Sequence, residues 1–373
     1  MNKKNKIAII ATDSTPIKNF MLNHIRKLSN NYDIFIFCNE IYTLKKKLPK
    51  NIKIRLFKIK RKPDIFSDLK SLFYLIKVFY KINFYIVFSI TPKAGFLTAI
   101  SAFIMGVPNR FHWFTGQVWC NYSGAKKFFF KFLDILIFKF STHVLVDSKS
   151  QRNFLIKYRV VSEKKSKVLH KGSVSGVDIK KFNFRLSIRN LLRKKLLIPK
   201  SSFVYLFLGR VNRDKGIYEL INVFQKISIT NKKLFLLIVG PVEDSEIKNK
   251  FSKFKNNIIF VGSVENPQDW YCVADVLCLP SHREGFGSVI IEAAACGIPA
   301  LASNIYGIKD AIVPNQTGLL HKVNNEKDLE KKMLYLFKHK KLIKEFGKNA
   351  KKRVKIDFNN HIMTKKLIEF IEQ

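Results

Sequence analysis

The sequence predicts an α/β protein made of two doubly wound parallel sheets, and three observations carry that expectation. The chain has 373 residues, about twice an ordinary single domain. Short apolar runs rich in β-branched residues alternate with helix-period segments from end to end, the rhythm of strands joined by crossover helices. That rhythm restarts near residue 200, after a helical stretch stopped by Pro199. A composition of 47% hydrophobic and 13% aromatic residues is enough to bury a core in each half and excludes whole-chain disorder. With 11 Pro and 16 Gly, the chain is neither collagen-like nor of low complexity.

In the first half, Lys6–Ala11 is a strand, followed by Phe20, Met21, Ile25 and Leu28 at the spacing of one helix face. Tyr32–Phe37 and Ile54–Ile59 are the next strands. Asp68–Tyr80 has helical periodicity, Phe84–Ser89 is again strand-like, and Ala94–Met105 reads as a buried helix. Arg110–Phe114 is a strand, Lys126–Phe140 an amphipathic helix and Val144–Val146 a last strand before a connector over Val168–Asp178. In the second half Ile188–Leu197 is a helix, and the strands are Phe203–Leu208, Leu234–Val239, Ile258–Val261, Val276–Leu279 and Ala300–Ala302. Ile217–Ile227, Trp270–Val273, Ser288–Ala295 and Glu326–Phe337 are helices. The domains are expected at 1–185 and 186–358, with a final helix over 359–373 packing back on one of them. Two such domains facing each other would place the ends of their strands along one shared cleft.

Charge and cysteines narrow the function classes. The 68 basic residues outnumber 27 acidic ones, a net charge of +41. They comprise 55 Lys and 13 Arg in a chain also heavy in Ile, Asn and Phe. AT-rich codons favour that mix, whereas nucleic-acid recognition leans on the bidentate contacts of Arg, so coding bias is the main reading. The excess is uneven: +27 over residues 1–185 (36 basic, 9 acidic) against +14 over 186–373 (32 basic, 18 acidic), so the first half is the one suited to an anionic surface. Cys38, Cys120, Cys272, Cys278 and Cys296 are scattered and never spaced C-x-x-C, which fits a reducing cytosol and neither a disulfide framework nor a structural zinc site. The opening Met1-Asn2-Lys3 leads into an apolar run of five residues, Ile7–Ala11, with no small-residue cleavage site, so no export signal is expected. The longest charge-free apolar stretch, Ala94–Val107, is 14 residues, short of the ~20 a membrane span needs.

The most informative segment is Ser281-His282-Arg283-Glu284-Gly285-Phe286-Gly287-Ser288, continued by Val289-Ile290-Ile291-Glu292. It reads strand, glycine turn, helix. Gly285 and Gly287 let the backbone approach a ligand, and a helix starting near Ser288 turns free N–H groups toward it, an arrangement suited to a phosphate or diphosphate. Glu284 precedes the turn and Glu292 sits about one turn inside the helix. Two carboxylates beside a diphosphate cannot both touch phosphate, so they are assigned to hydroxyls, and the chemistry points to a sugar nucleotide. A dinucleotide loop is excluded because Gly285-Phe286-Gly287-Ser288-Val289-Ile290 lacks the third glycine of G-x-G-x-x-G. A plain solvated helix position does not suit Glu292 either, since its apolar neighbours mark a buried stretch in which an acid needs a partner.

Glu284 to Glu292 is the E-x7-E spacing, and here the sequence resembles the family 4 glycosyltransferases of polysaccharide and O-antigen synthesis. Phe207-Leu208-Gly209-Arg210 followed by Asp214-Lys215-Gly216 matches that family's basic pair. The resemblance implies the GT-B fold, two Rossmann-like domains facing across a central cleft, the first binding acceptor and the second the nucleotide-sugar donor. It implies that Arg210 and Lys215 neutralise the departing diphosphate and that Glu284 holds donor-sugar hydroxyls. Gly285, Phe286, Gly287 and Ser288 would bind sugar and phosphate oxygens through the backbone, and Glu292 would grip the ribose. Gly209, and the strand ends at Gly240 and Val264, would complete the donor pocket. Arg110-Phe111-His112-Trp113-Phe114-Thr115-Gly116-Gln117 resembles the acceptor-side loop. There His112 either hydrogen-bonds near the reacting sugar or is a packed core histidine. Thr12 to Thr15 stands where many members carry two glycines, and Asp147-Ser148 ends another strand.

The resemblance implies a retaining transfer from a UDP-sugar, an N-acetylhexosamine being the expected sugar, to a lipid-linked saccharide at the inner face of the cytoplasmic membrane. No D-x-D pair or metal-spaced His/Cys cluster occurs, and Arg210, Lys215 and a helix start supply positive charge, so no metal or other cofactor is expected. Lys126–Phe140 interleaves Lys with a broad apolar face, as in a helix lying on anionic lipid or one buried with snorkelling lysines. Two other readings stay open: a sugar-nucleotide epimerase using the paired acids, and a basic nucleic-acid-binding protein, for which no helix-turn-helix, zinc-finger or RNP pattern is present.

Overall fold

The computed structural model of the chain describes residues 4–60, 63–250 and 257–373. Met1–Lys3, the start of the segment read for an export signal, lie outside the described residues. The structure forms two compact units, residues 1–175 with 360–373 and residues 176–359.

In the first unit, seven strands form a parallel sheet: β1 Lys6–Ile10, β2 Asp33–Cys38, β3 Lys53–Leu56, β4 Ile86–Ser89, β5 Asn109–Phe114, β6 His143–Val146 and β7 Ser166–Lys167. Their spatial order is β3-β2-β1-β4-β5-β6-β7. Both faces are covered, and the period of two shows how. Ile7 and Ile9 of β1 enter one apolar cluster, while Ala8 and Ile10 enter the cluster on the opposite face. The helices Ile65–Ile82, Pro92–Ile104 and Gly124–Phe140 pack side by side on one face. The helix Leu22–Leu28 covers the other and is joined there by the C-terminal helix Asn360–Ile371. That last helix buries Met363, Leu367 and Phe370 in the first unit's core, and His24 bridges Thr364 Oγ1 (2.9 Å) and the Val174 carbonyl (3.0 Å).

The second unit repeats the plan with six parallel strands: β8 Phe203–Leu208, β9 Leu234–Val239, β10 Ile258–Gly262, β11 Val276–Leu279, β12 Ala300–Ser303 and β13 Gly318–His321, in the order β10-β9-β8-β11-β12-β13. Val204, Leu206 and Leu208 face one core cluster and Phe203, Tyr205 and Phe207 the other, so β8 is apolar at every position.

The sequence puts the passage between units at 185/186, and the structure puts it at 175/176. The physical reason is that Val177 and Phe182 already belong to the second core, where they pack with Tyr271 and Phe358. Other elements also differ from the sequence reading, among them the helix Lys149–Lys157, which it did not include. The segment expected to be only a connector is preceded by the two-residue strand β7, β13 closes the second sheet, and an 18-residue helix spans Lys340–Asp357. Among the described residues, no helix is long and apolar enough to cross a membrane.

Candidate active site

A parallel sheet brings the carboxyl ends of all its strands to one edge. In the second unit the chain reverses its direction of winding between β8 and β11, which are neighbours though not consecutive. Ligands of open α/β sheets bind outside the carboxyl ends at such a switch point. The loops arriving there, in spatial order, carry Gly262 to Val264 after β10, Gly240 to Glu243 after β9, Gly209 to Lys215 after β8, Ser281 to Gly287 after β11, and Asn304 to Gly307 after β12. Every donor-site residue expected from the sequence lies on this edge or in the helix leaving it.

Lys215 and Glu284 meet across the switch point. Lys215 Nζ donates to Glu284 Oε1, which also accepts from Ser281 Oγ at 3.0 Å, and both charged side chains are largely enclosed. The approach depends on Gly216, in the left-handed region at φ +67°. A Cβ there would lie 2.0 Å from the Pro280 carbonyl oxygen, so no larger residue lets the two loops touch. Two more ion pairs flank this one: Arg283 donates to Asp214 Oδ2 at 3.0 Å, and His282 Nε2 lies 2.9 Å from Glu219 Oε1.

Arg210 stands apart from that contact. Its NH1 donates to Glu243 Oε2 at 2.9 Å, and Asn212 Nδ2 donates to the same oxygen at 2.8 Å. The sequence pairs Arg210 with Lys215 as cations on one ligand. The structure keeps both at the edge but gives each its own carboxylate, and Glu243 is a partner that sequence reasoning missed. Gly209 and Gly240 are in backbone contact: a Cβ on Gly240 would fall 1.9 Å from the Gly209 carbonyl oxygen. Val264 follows β10 and is packed, partly buried, on the core.

The turn Gly285-Phe286-Gly287 behaves as its glycines suggest. Gly287 caps the helix Ser288–Ala295 at φ +77°, and the Ile290 N–H already donates to the Gly287 carbonyl at 2.9 Å, leaving the N–H groups ahead of it facing the edge. The Phe286 side chain turns inward against Phe358, so only its backbone remains at the site. Gly307 supports the turn from the next loop, where a Cβ would lie 2.5 Å from the Gly285 carbonyl oxygen. Glu292 has the partner its apolar neighbours demand: Tyr271 O–H donates to its Oε2 at 2.7 Å. The residue keeps some exposure as a whole, but its carboxyl is enclosed, and burial pushes that carboxyl up to about 7. The two acids of E-x7-E therefore sit in different settings, Glu284 on a cation and Glu292 on a phenol. Tyr271, on the helix Pro267–Tyr271, carried no signal in the sequence.

In the first unit the switch point lies between β1 and β4. It is bridged by hydroxyls in place of glycines: Thr12 Oγ1 and Thr91 Oγ1 are 2.7 Å apart, and Thr12 N–H donates to Thr91 Oγ1 at 2.9 Å. Ser14 Oγ, with Thr43 N–H and Oγ1, donates to Glu40, and these hydrogen bonds hold its carboxyl down at about 2. For His112 the sequence leaves two alternatives open, a sugar contact or a packed histidine. It lies inside β5, which continues through Phe114, and it is 2% exposed. Its ring lies against Gly95 of the helix Pro92–Ile104, Nδ1 pairs with Ser89 Oγ at 2.8 Å, and burial drives its pKa down to about 3. This is the packed alternative. Asp147 and Ser148 also have structural work: Asp147 accepts from Trp113 Nε1 at 2.9 Å and Ser148 caps the helix Lys149–Lys157.

The helix Gly124–Phe140 keeps its outer face open. Only Asp134 and Ile137 are buried, Phe128 is 74% exposed, and Phe129 and Phe132 are exposed beside it. Its one acid, Asp134, accepts from Trp119 Nε1 at 2.8 Å.

Two doubly wound parallel sheets, each with a bridged switch point, define the GT-B class of α/β protein. The solved structure of HepE from Anabaena with UDP and glucose superposes with a TM-score of 0.83 at 17% identity over 99% of both chains. The family profile of glycosyl transferases group 1 matches residues 188–353. CapM of Staphylococcus aureus, a capsular polysaccharide biosynthesis glycosyltransferase, is 30% identical over 370 residues, 98% of this chain and 96% of its own. The N,N'-diacetylbacillosaminyl-diphospho-undecaprenol α-1,3-N-acetylgalactosaminyltransferase of Campylobacter jejuni is 25% identical over 380 residues, 99% of this chain and 98% of its own. The chain belongs to this group 1 family, the family 4 type of polysaccharide-synthesis glycosyltransferases, and is a glycosyltransferase. Membership decides among the three readings left open by the sequence, against the epimerase and the nucleic-acid binder.

Proposed function

We propose that the protein transfers a sugar, with retention of anomeric configuration, from a UDP-sugar to a lipid-linked saccharide in cell-surface polysaccharide synthesis, working at the inner face of the cytoplasmic membrane. The observation that carries the donor reading is the Lys215–Glu284 contact across the switch point, beside a glycine-capped helix start. A diphosphate arriving there meets Lys215, Arg210 and the N–H groups at Ser288. Glu284 is then released to the sugar hydroxyls, and Glu292 takes the ribose. As the bond from the anomeric carbon to the diphosphate oxygen breaks, its electron pair leaves on UDP, and the two cations stabilise that charge without a divalent ion. The acceptor hydroxyl oxygen takes the vacated bond, and its proton leaves with UDP. The UDP and glucose bound by HepE and the undecaprenyl-linked acceptor in the name of the Campylobacter relative favour this donor and acceptor class. The latter's N-acetylgalactosaminyl donor favours an N-acetylhexosamine.

The membrane reading has separate support in the first unit. The helices Ile65–Ile82 and Gly124–Phe140 both begin at the carboxyl edge of its sheet, and their first halves expose Phe66, Phe73, Phe128 and Phe129 among lysines. An aromatic and basic face suits an anionic bilayer carrying the acceptor.

The test is release of UDP from a panel of UDP-sugars, with and without an undecaprenyl-diphosphate saccharide, in EDTA and in magnesium. The proposal expects acceptor-dependent release unaffected by EDTA and an anomeric configuration in the product matching the donor's by NMR. Inversion, or loss of transfer in EDTA, overturns the corresponding part.

A further inference from the structure

The Lys215–Glu284 pair does not stand alone. The loops that carry it are joined by a ladder of charge pairs, with Arg283 on Asp214 to one side and His282 on Glu219 to the other. The backbone adds a rung, since His282 N–H donates to the Asp214 carbonyl at 2.9 Å. All four flanking side chains are partly buried, where charge pairs are less screened than at an open surface. Neither carrier lies within a long regular element. Lys215 ends a three-residue 3-10 turn without a side-chain cap, and Glu284 lies on irregular backbone between β11 and Gly287.

We infer that Asp214, Glu219, His282 and Arg283 are positioning residues, whose two ion pairs hold the loops after β8 and β11 in register so that Lys215 and Glu284 are presented together to the nucleotide sugar. This rests on the donor reading above. When the diphosphate draws Lys215 away from Glu284, the flanking pairs keep the two loops joined. The site thus keeps its shape while its central contact is exchanged for contacts to the ligand, the preorganisation that makes charge stabilisation effective.

His282 gives the ladder a pH dependence. The hydrogen bond to Glu219 raises its pKa above the ordinary 6.5, Asp214 adds to this, and burial and Arg213 oppose it. A raised histidine pKa means the charged pair is fully present at low pH and is lost as pH rises through the raised value. Donor affinity therefore weakens on the alkaline side. Glu292, whose carboxyl burial pushes up to about 7, titrates as well, so the difference between wild type and H282Q, rather than either profile alone, isolates the histidine.

The experiment measures UDP binding by calorimetry and donor KM for wild type, R283Q, D214N and the swap of D214R with R283D, with circular dichroism as the folding control. Each single substitution is expected to raise both constants about tenfold, and the swap to restore most of the loss, as coupled pairs do. H282Q is expected to remove an alkaline rise in KM that wild type shows. Single variants within twofold of wild type, or a folded swap no better than either single, overturn the ladder. For R283Q, the conservative R283K separates charge pairing from packing: recovery toward wild type supports the ladder, and none counts against it. Wild type that binds no UDP fails the donor reading instead, a result distinct from equal binding by all variants.

Discussion

Lys215 and Glu284 are 69 residues apart in sequence, and Arg210 and Glu243 are 33 apart. The acids of E-x7-E and the cations of the Gly209-Arg210 and Lys215-Gly216 segments are legible because each falls at a strand end or a glycine turn. Their distant partners are not legible: Tyr271 and Glu243 are chosen by the tertiary fold and carry no local pattern, whereas Ser281 lies in the same segment as Glu284. His112 shows the converse, since Arg110–Phe114 reads correctly as a strand, yet nothing in it tells a strand-end histidine from one packed on Gly95. Three outcomes belong at this scale. K215A strips the enclosed Glu284 of its cation and is expected to cost about 1–3 kcal/mol of stability by urea denaturation. In the transfer assay, K215A and R210A are each expected to lower kcat by about 10²-fold or more while the circular dichroism spectrum stays native. Glu292 holds its proton in the folded protein up to about 7, against 4.5 for an ordinary glutamate, so stability falls as pH rises across that window. E292Q is expected to flatten that slope in Tm measured from pH 4.5 to 8.

At the scale of elements, the positive-φ glycines are of two kinds, some set by close neighbours and some by conformation alone. Gly216 and Gly307 abut carbonyl oxygens, whereas a Cβ on Gly124, at φ +56°, meets nothing within 4 Å. G216A and G307A are thus expected to destabilise by about 2 kcal/mol or more, and G124A by only ~1 kcal/mol, measured by urea denaturation. The helix Gly124–Phe140 was readable as amphipathic, but whether its apolar face is covered depends on what packs there, and the structure leaves Phe128 and Phe129 open. F128S with F129S is expected to leave Tm within a degree or two while reducing sedimentation with anionic vesicles several-fold. Unchanged vesicle binding would count against the membrane reading. The edge strand β13 opens on a glycine and holds only two apolar residues, Leu319 and Leu320, so it gave no apolar run to read. The helix Lys340–Asp357 was readable in principle from Ile343, Phe346, Ala350 and Val354, but ten charged residues dilute that stripe.

On the scale of the whole molecule, the fold class was fully legible, because β1 and β8 are buried on both faces and therefore read as unbroken apolar runs. The boundary was not, because Val177 and Phe182 look like connector residues until their core is known. The C-terminal helix makes the first unit discontinuous in sequence. L367A, which empties a fully buried position of that helix, is expected to cost about 2–5 kcal/mol and to lower the unfolding transition of the first unit. The central claim is that the edge built by β8 and β11 activates a nucleotide sugar through Arg210 and Lys215. Acceptor-dependent UDP release by wild type, R210A and K215A, with folding verified for each, tests it most directly. The claim predicts turnover by wild type and near-complete loss in both variants, and full turnover by either folded variant contradicts it.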